Sequence, residues 1–264
     1  MTERFVNQKD LEGKAQAIIG QLQEVAANHE RKYPSDIQAV LVFSGPGTYY
    51  EQLKPGEPEW MKLMNRDRVR AGTAVVREVT ASRKADDLGL PRGEIHGSKM
   101  IYDDVLTYGP YLVYNGVPIK DPRLEHENKT VREAFHSRFS KLPEQKILVI
   151  DELRDVDGTL RPLRHTGDQI NSLFQQLQDV NSPIYGVRNL ALVSHLAHFI
   201  RIPFYLKKYE DEFVANGGYR LNYFVYPLIG RPGVYEKDIE WEMPRLLEYA
   251  AKGDLATEPV KLNR

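Results

Sequence analysis

The ten residues Leu192 to Arg201 (LVSHLAHFIR) carry a hydroxyl, two imidazoles and a guanidinium directly after an apolar run. On a helix leaving that run, Ser194, His198 and Arg201 are four and then three positions apart, so all three project from one side. A hydroxyl, an imidazole and a planar guanidinium together suit a phosphate or carboxylate, and an imidazole near neutral pH can also move a proton. His195 shares the turn. Read without a ligand, Ser194 caps the helix while His198 and Arg201 make structural hydrogen bonds.

Three further polar groups close apolar runs. Ser44, Gly45, Pro46 and Gly47 follow the run 37–43, and their glycines would let backbone N–H groups approach an anion, or simply make a tight turn. Asn115 and Gly116 follow 111–114. Asp151 and Glu152 follow 146–150, where they read either as a general base or divalent-cation site, or as a solvated strand end. His165, Thr166 and Asp168 open a later helical pattern, as ligand contacts or as a local cap. Asp151, Asp168 and His198 are thus the acid/base candidates. No Gly-x-Ser-x-Gly elbow, His-Glu-x-x-His pair or full P-loop pattern is present. Cysteine is absent, which removes disulfides, thiolate catalysis and Cys-ligated metals.

These groups need a scaffold that brings strand ends together. The runs 37–43, 111–114, 146–150 and 189–193, with a fifth strand over 221–228, alternate with helical periodicities over 9–31, 58–83, 166–180 and from Ser194 through Lys208. Such alternation predicts βαβ units: an α/β, Rossmann-like three-layer fold with a mostly parallel sheet. The core is expected over about 36–230 of a single domain, with helical additions at 9–31 and 236–252 and the last dozen residues loosely held. Residues 84–130 are the least regular, a candidate lid or insertion, and 130–140 read as a short helix. Tyrosines 49, 50, 102, 108, 111 and 114 are expected around the pocket loops. His29, His96, His126 and His136 lack ligand spacing and read as surface residues.

Over 264 residues, 36 Lys plus Arg nearly cancel 37 Asp plus Glu, leaving a net charge of -1. That balance gives no overall field for nucleic acid. No apolar stretch is long enough to span a membrane, and Met1 to Phe5 lead into a polar segment without a signal-peptide core. The expectation is a soluble, cytoplasmic protein with a small-molecule partner, no nucleic acid and no membrane.

In this order the motifs resemble the SanA/ElyC/YdcF-like family of α/β proteins. Ser44-Gly45 stands at the family's first turn, Arg68 or Arg70 at the arginine of the following helix, and Asn115-Gly116 at the second turn. Glu133-Ala134 matches its Glu-Ala pair and Asp151-Glu152 its acidic strand end. His165 to Gln169 stands at its Asn-Thr-x-Glu-Asn helix start, and Val193 to Arg201 matches its last motif, Val-Thr-Ser-x-x-His-x-x-Arg. The likeness covers roughly 38–228. Val117 replaces one glycine of the second turn, and the helix start keeps only its threonine. The resemblance implies ligand contacts from Ser44, Gly45, Gly47, Arg68, Asn115, Gly116, Glu152, His165, Thr166, Ser194, His195 and Arg201. It also implies S-adenosylmethionine as a candidate ligand of soluble members. The expected function is binding of a nucleotide-like or phosphorylated small molecule at the C-terminal strand ends, with turnover through His198 or as a non-catalytic S-adenosylmethionine or nucleotide binder.

Overall fold

The computed structural model describes residues 7–28, 33–44, 64–115, 142–163, 165–229 and 235–263. The strands are β1 (Ala39–Phe43), β2 (Tyr111–Asn115), β3 (Ile147–Ile150), β4 (Glu152–Arg154), β5 (Leu160–Pro162), β6 (Asn189–His195), β7 (Asn222–Leu228) and β8 (Leu262–Asn263). The helices are α1 (Gln8–Ala27), α2 (Met64–Asp87), α3 (Tyr102–Tyr108), α4 (Thr166–Gln178), α5 (Leu196–Phe199), α6 (Ile202–Ala215) and α7 (Tyr235–Ala251). Six strands form one sheet in the order β3-β2-β1-β6-β7-β8, and every pairing in it is parallel. The four apolar runs read from the sequence are therefore adjacent parallel strands, with the fifth beside them.

Burial on both faces explains the unbroken apolar runs. In β1, Ala39, Leu41 and Phe43 enter one core with α1, α4, α5 and α6, whereas Val40 and Val42 enter a second core with α2 and α3. This period of two separates the helical layers and makes the fold three-layered. The strand order reverses between β1 and β6, whose neighbours lead away in opposite directions. Ligands of such sheets bind in the crevice beyond the strand ends at that switch point. Ser44 and His195 flank it.

Several expectations are corrected. Helix α2 runs on to Asp87, and α3 occupies part of the segment read as irregular. The segment after Asp151 is an antiparallel hairpin of β4 and β5, turned at Asp157-Gly158 with Gly158 at φ 86°. The tail is not loose: Val260 and Leu262 are buried, Val260 N–H donates to the Pro203 carbonyl at 3.0 Å, and β8 pairs with β7. Ser194 and His195 still belong to β6, so the helix starts at Leu196 and breaks at Arg201. Pro203 is the reason, since it has no N–H for a carbonyl one turn back and sits in the first turn of α6, where that donor is not needed. The expected helix at 130–140 lies outside the described residues.

Candidate functional site

Helix α2 runs back over β1 and β2 at close range. A Cβ added to Gly72 would stand 2.3 Å from Val42 Cγ2 and 3.3 Å from Leu112 Cδ1. Glycine is what permits that approach. Arg68 lies one turn nearer the helix start, about 6 Å along the axis, which carries it toward the strand ends. It is fully buried, and neither its Nε nor its Nη1 has a hydrogen-bond partner. Burial pushes the guanidinium pKa down to about 10, partly offset by Tyr114 and Glu242. That shift corresponds to a folding cost on the order of 3 kcal/mol at neutral pH.

The first turn of α4 ties three neighbouring strand ends together. Thr166 Oγ1 lies 3.2 Å from His198 Nε2, and Ser194 Oγ lies 3.1 Å from His198 Nδ1. One position short of a full turn later, Gln169 Nε2 donates to Ser44 Oγ at 2.8 Å while the Gln169 carbonyl accepts from Asn115 Nδ2 at 2.6 Å. Ser44 N–H in turn donates to the Asn115 carbonyl at 3.1 Å. Ser44, Asn115, Thr166, Gln169, Ser194 and His198 are all buried. The sequence thus places one polar residue at the end of each of β2, β1 and β6, and a two-residue spacer in α4 aligns the groups that bind them.

His198 sits edge-on to Phe43, with ring centroids 6.1 Å apart. Burial first, then the positive charges of Arg68 and Arg201, hold its pKa well below the ordinary histidine value. It is therefore neutral, and a neutral imidazole has one N–H. One hydroxyl accepts that proton and the other donates to the bare nitrogen, so the ring and both hydroxyls are fixed relative to each other. A charge change near neutral pH, expected from an unperturbed histidine, does not occur in this environment.

The site's carboxylates are already matched. Arg201 Nε stands 2.5 Å from Glu242 Oε2, both side chains being buried, and the guanidinium lies 5.5 Å from the Tyr249 ring centroid. Asp168 receives a bidentate pair from Arg161 at 2.8 and 2.9 Å. Asp168 N–H donates to Nδ1 of exposed His165, which caps α4. Gly167 leaves room for that ring: a Cβ there would meet His165 Nδ1 at 3.0 Å and the Tyr205 ring at 3.2 Å. Among the described residues at this site, the Arg68 guanidinium has donors left unused.

Other expected residues lie elsewhere. Asp151 and Glu152 line a groove of about 940 Å³ beside β3, together with Asn171 and Gln175, and none of the six networked residues lines it. Among the described residues no group of three or more His, Asp or Glu is placed to hold a metal ion. Arg70 is exposed, and His195 is half-buried at the end of β6. Tyr111 starts β2 and so lies at the end opposite the site. Tyr102 is exposed and Tyr108 hydrogen-bonds Asp87, whereas Tyr114 is buried within electrostatic reach of Arg68. Gly45, Gly47, Tyr49, Tyr50, Gly116, Glu133 and Ala134 fall outside the described residues.

Three participants were not singled out from sequence. Gln169 had a signal, being three residues after Thr166 on a helix. Arg161 and Glu242 had none, because their partners are set by the hairpin and by the packing of α7. No family model, curated protein or solved structure matches the chain. Among the described residues no helix is long and apolar enough to cross a membrane.

Proposed function

We propose that the crevice between β1 and β6 binds the phosphate or other anionic group of a nucleotide-like or phosphorylated small molecule. The observation that carries this reading is Arg68, a buried guanidinium with unused Nε and Nη1 donors. Buried charges are ordinarily paired, and an unpaired one costs several kcal/mol. A planar fork of N–H groups matches phosphate or carboxylate oxygens. Glu242 and Asp168 are engaged by Arg201 and Arg161, so the guanidinium's unused donors favour an anion over a cation. The resemblance to the SanA/ElyC/YdcF-like family points the same way. Under the S-adenosylmethionine alternative, Arg68 takes the ligand's carboxylate.

A neutral His198 held between two hydroxyls favours binding without turnover. An acid/base role depends on the ligand itself: an anion beside Arg68 cancels part of the repulsion that depresses His198.

The test is a set of thermal melts of the parent and Arg68→Met with AMP, ribose 5-phosphate, S-adenosylmethionine and methyl phosphate. A ligand at 100 times its dissociation constant adds about 2.7 kcal/mol. The expected result is a raised melting temperature with at least one anionic ligand for the parent and none for Arg68→Met. A full ligand shift retained by Arg68→Met overturns the assignment.

A further inference from the structure

A second unused group stands at the same strand ends. Asn115 is fully buried, and its Oδ1 has no hydrogen-bond partner. The orientation of the amide is fixed, because the other end faces the Gln169 carbonyl at 2.6 Å and only an N–H₂ can bond there. Oδ1 is therefore an acceptor, with no freedom to flip into a donor. Leaving a buried acceptor unmade is costly, and native structures rarely do so without a reason.

Asn115 and Arg68 converge on the same strand ends. Gly72 holds α2 against Val42 and Leu112, the β1–β2 pair whose last residues are Phe43 and Asn115, and Arg68 lies one turn further toward those ends. Arg68 also acts electrostatically on His198, which bonds Thr166 in the same first turn of α4 whose Gln169 holds Asn115. The pair offers complementary requests: Arg68 asks for an anion, and Asn115 asks for a hydrogen-bond donor.

We infer that the ligand carries a hydroxyl or N–H beside its anionic group and that Asn115 Oδ1 receives it, so the site takes hydroxylated phosphate esters of the sugar-phosphate class in preference to a bare phosphate monoester. This rests on the anion site proposed above. It makes Asn115 a specificity-determining residue, because a site built around a buried acceptor rejects an analogue that leaves it unpaired.

The experiment is calorimetric titration at pH 8, where a phosphate monoester, with its second pKa near 6, has no proton left to donate. The probes are methyl phosphate, glycerol 3-phosphate and ribose 5-phosphate. The parent is expected to bind at least one hydroxylated ester about tenfold more tightly than methyl phosphate, equivalent to about 1.4 kcal/mol. In Asn115→Leu, verified as folded by its melt, that ratio should fall below about threefold. Equal affinity of the parent for all three probes overturns the inference and leaves the anion site standing. So does a tenfold ratio that survives in Asn115→Leu. Should Asn115→Leu fail to fold, the parent's ratio decides alone. Absence of binding by any of the three probes to the parent, at concentrations up to 10 mM, overturns the anion site and the inference together.

Discussion

Arg68 and Arg201 are both buried at the C-terminal ends of the strands, and among the described residues only Arg201 is in a direct ion pair. Arg201 meets Glu242 of α7, with Arg245 at 3.5 Å on the other oxygen and Tyr249 beneath the guanidinium. Arg68 has two unbonded nitrogens and feels Tyr114 and Glu242 only through space. The same residue type is structural in one case and a stored cost in the other. The site therefore cannot be read from residue type and burial alone: the unmatched member is the one that points to a ligand.

The largest effect that would break this contrast comes from Glu242→Leu. Removing the carboxylate leaves Arg201 buried without a partner, and breaking a buried ion pair costs about 3–5 kcal/mol. Urea denaturation of Glu242→Leu should show that loss, and Arg201→Met/Glu242→Leu should recover most of it. Unchanged stability in the single variant would mean that Arg201 is as uncompensated as Arg68.

Arg68→Met should move stability in the opposite direction. An apolar chain of similar length removes the desolvated charge, and the gain is about 1–3 kcal/mol in the same titration. A loss of similar size would mark Arg68 as a structural residue.

The contrast also shows how far the sequence was legible. The strands could be read because parallel strands buried on both faces leave continuous apolar runs, as in Ala39–Phe43. The polar strand ends could be read because each run stops at a residue such as Ser44, Asn115 or Ser194. What could not be read was which of two arginines was satisfied. Glu242 lies 41 positions from Arg201 on a helix whose docking depends on the whole core. The break at Arg201 was signalled by Pro203, but β8, at two residues, gave no periodicity to find.

Next in the series is pH. The folded pKa of His198 lies well below the ordinary value because of burial and its two arginine neighbours. As pH falls through about 6.5, the unfolded chain gains a proton there that the folded chain refuses. The unfolded state then binds more protons, so stability declines with falling pH below 6.5 and is fully present above it. Melts between pH 7.5 and 5 should show this decline, and His198→Gln, which cannot titrate, should show a shallower one. An equal slope in both would place the proton uptake elsewhere.

The smallest expected effect concerns His165, whose imidazole caps α4 at the edge of the network. Its Nδ1 accepts from Asp168 N–H at 3.2 Å, which satisfies one of the donors left open by the first helical turn. The side chain is 56 % exposed, so little packing is at stake. Loss of a cap costs about 0.5–2 kcal/mol, and the exposed position sets the expectation for His165→Ala at the lower end. Asparagine is a good capping residue, so His165→Asn should restore the lost stability without restoring an imidazole. If His165 is only a cap, the methyl phosphate shift of the parent should persist in both variants once the lower starting temperature is subtracted. A shift that disappears in both, while the caps differ in stability, would add His165 to Arg68 as a second contact to the anion. In that case a contact at the rim, as well as the buried guanidinium, holds the ligand.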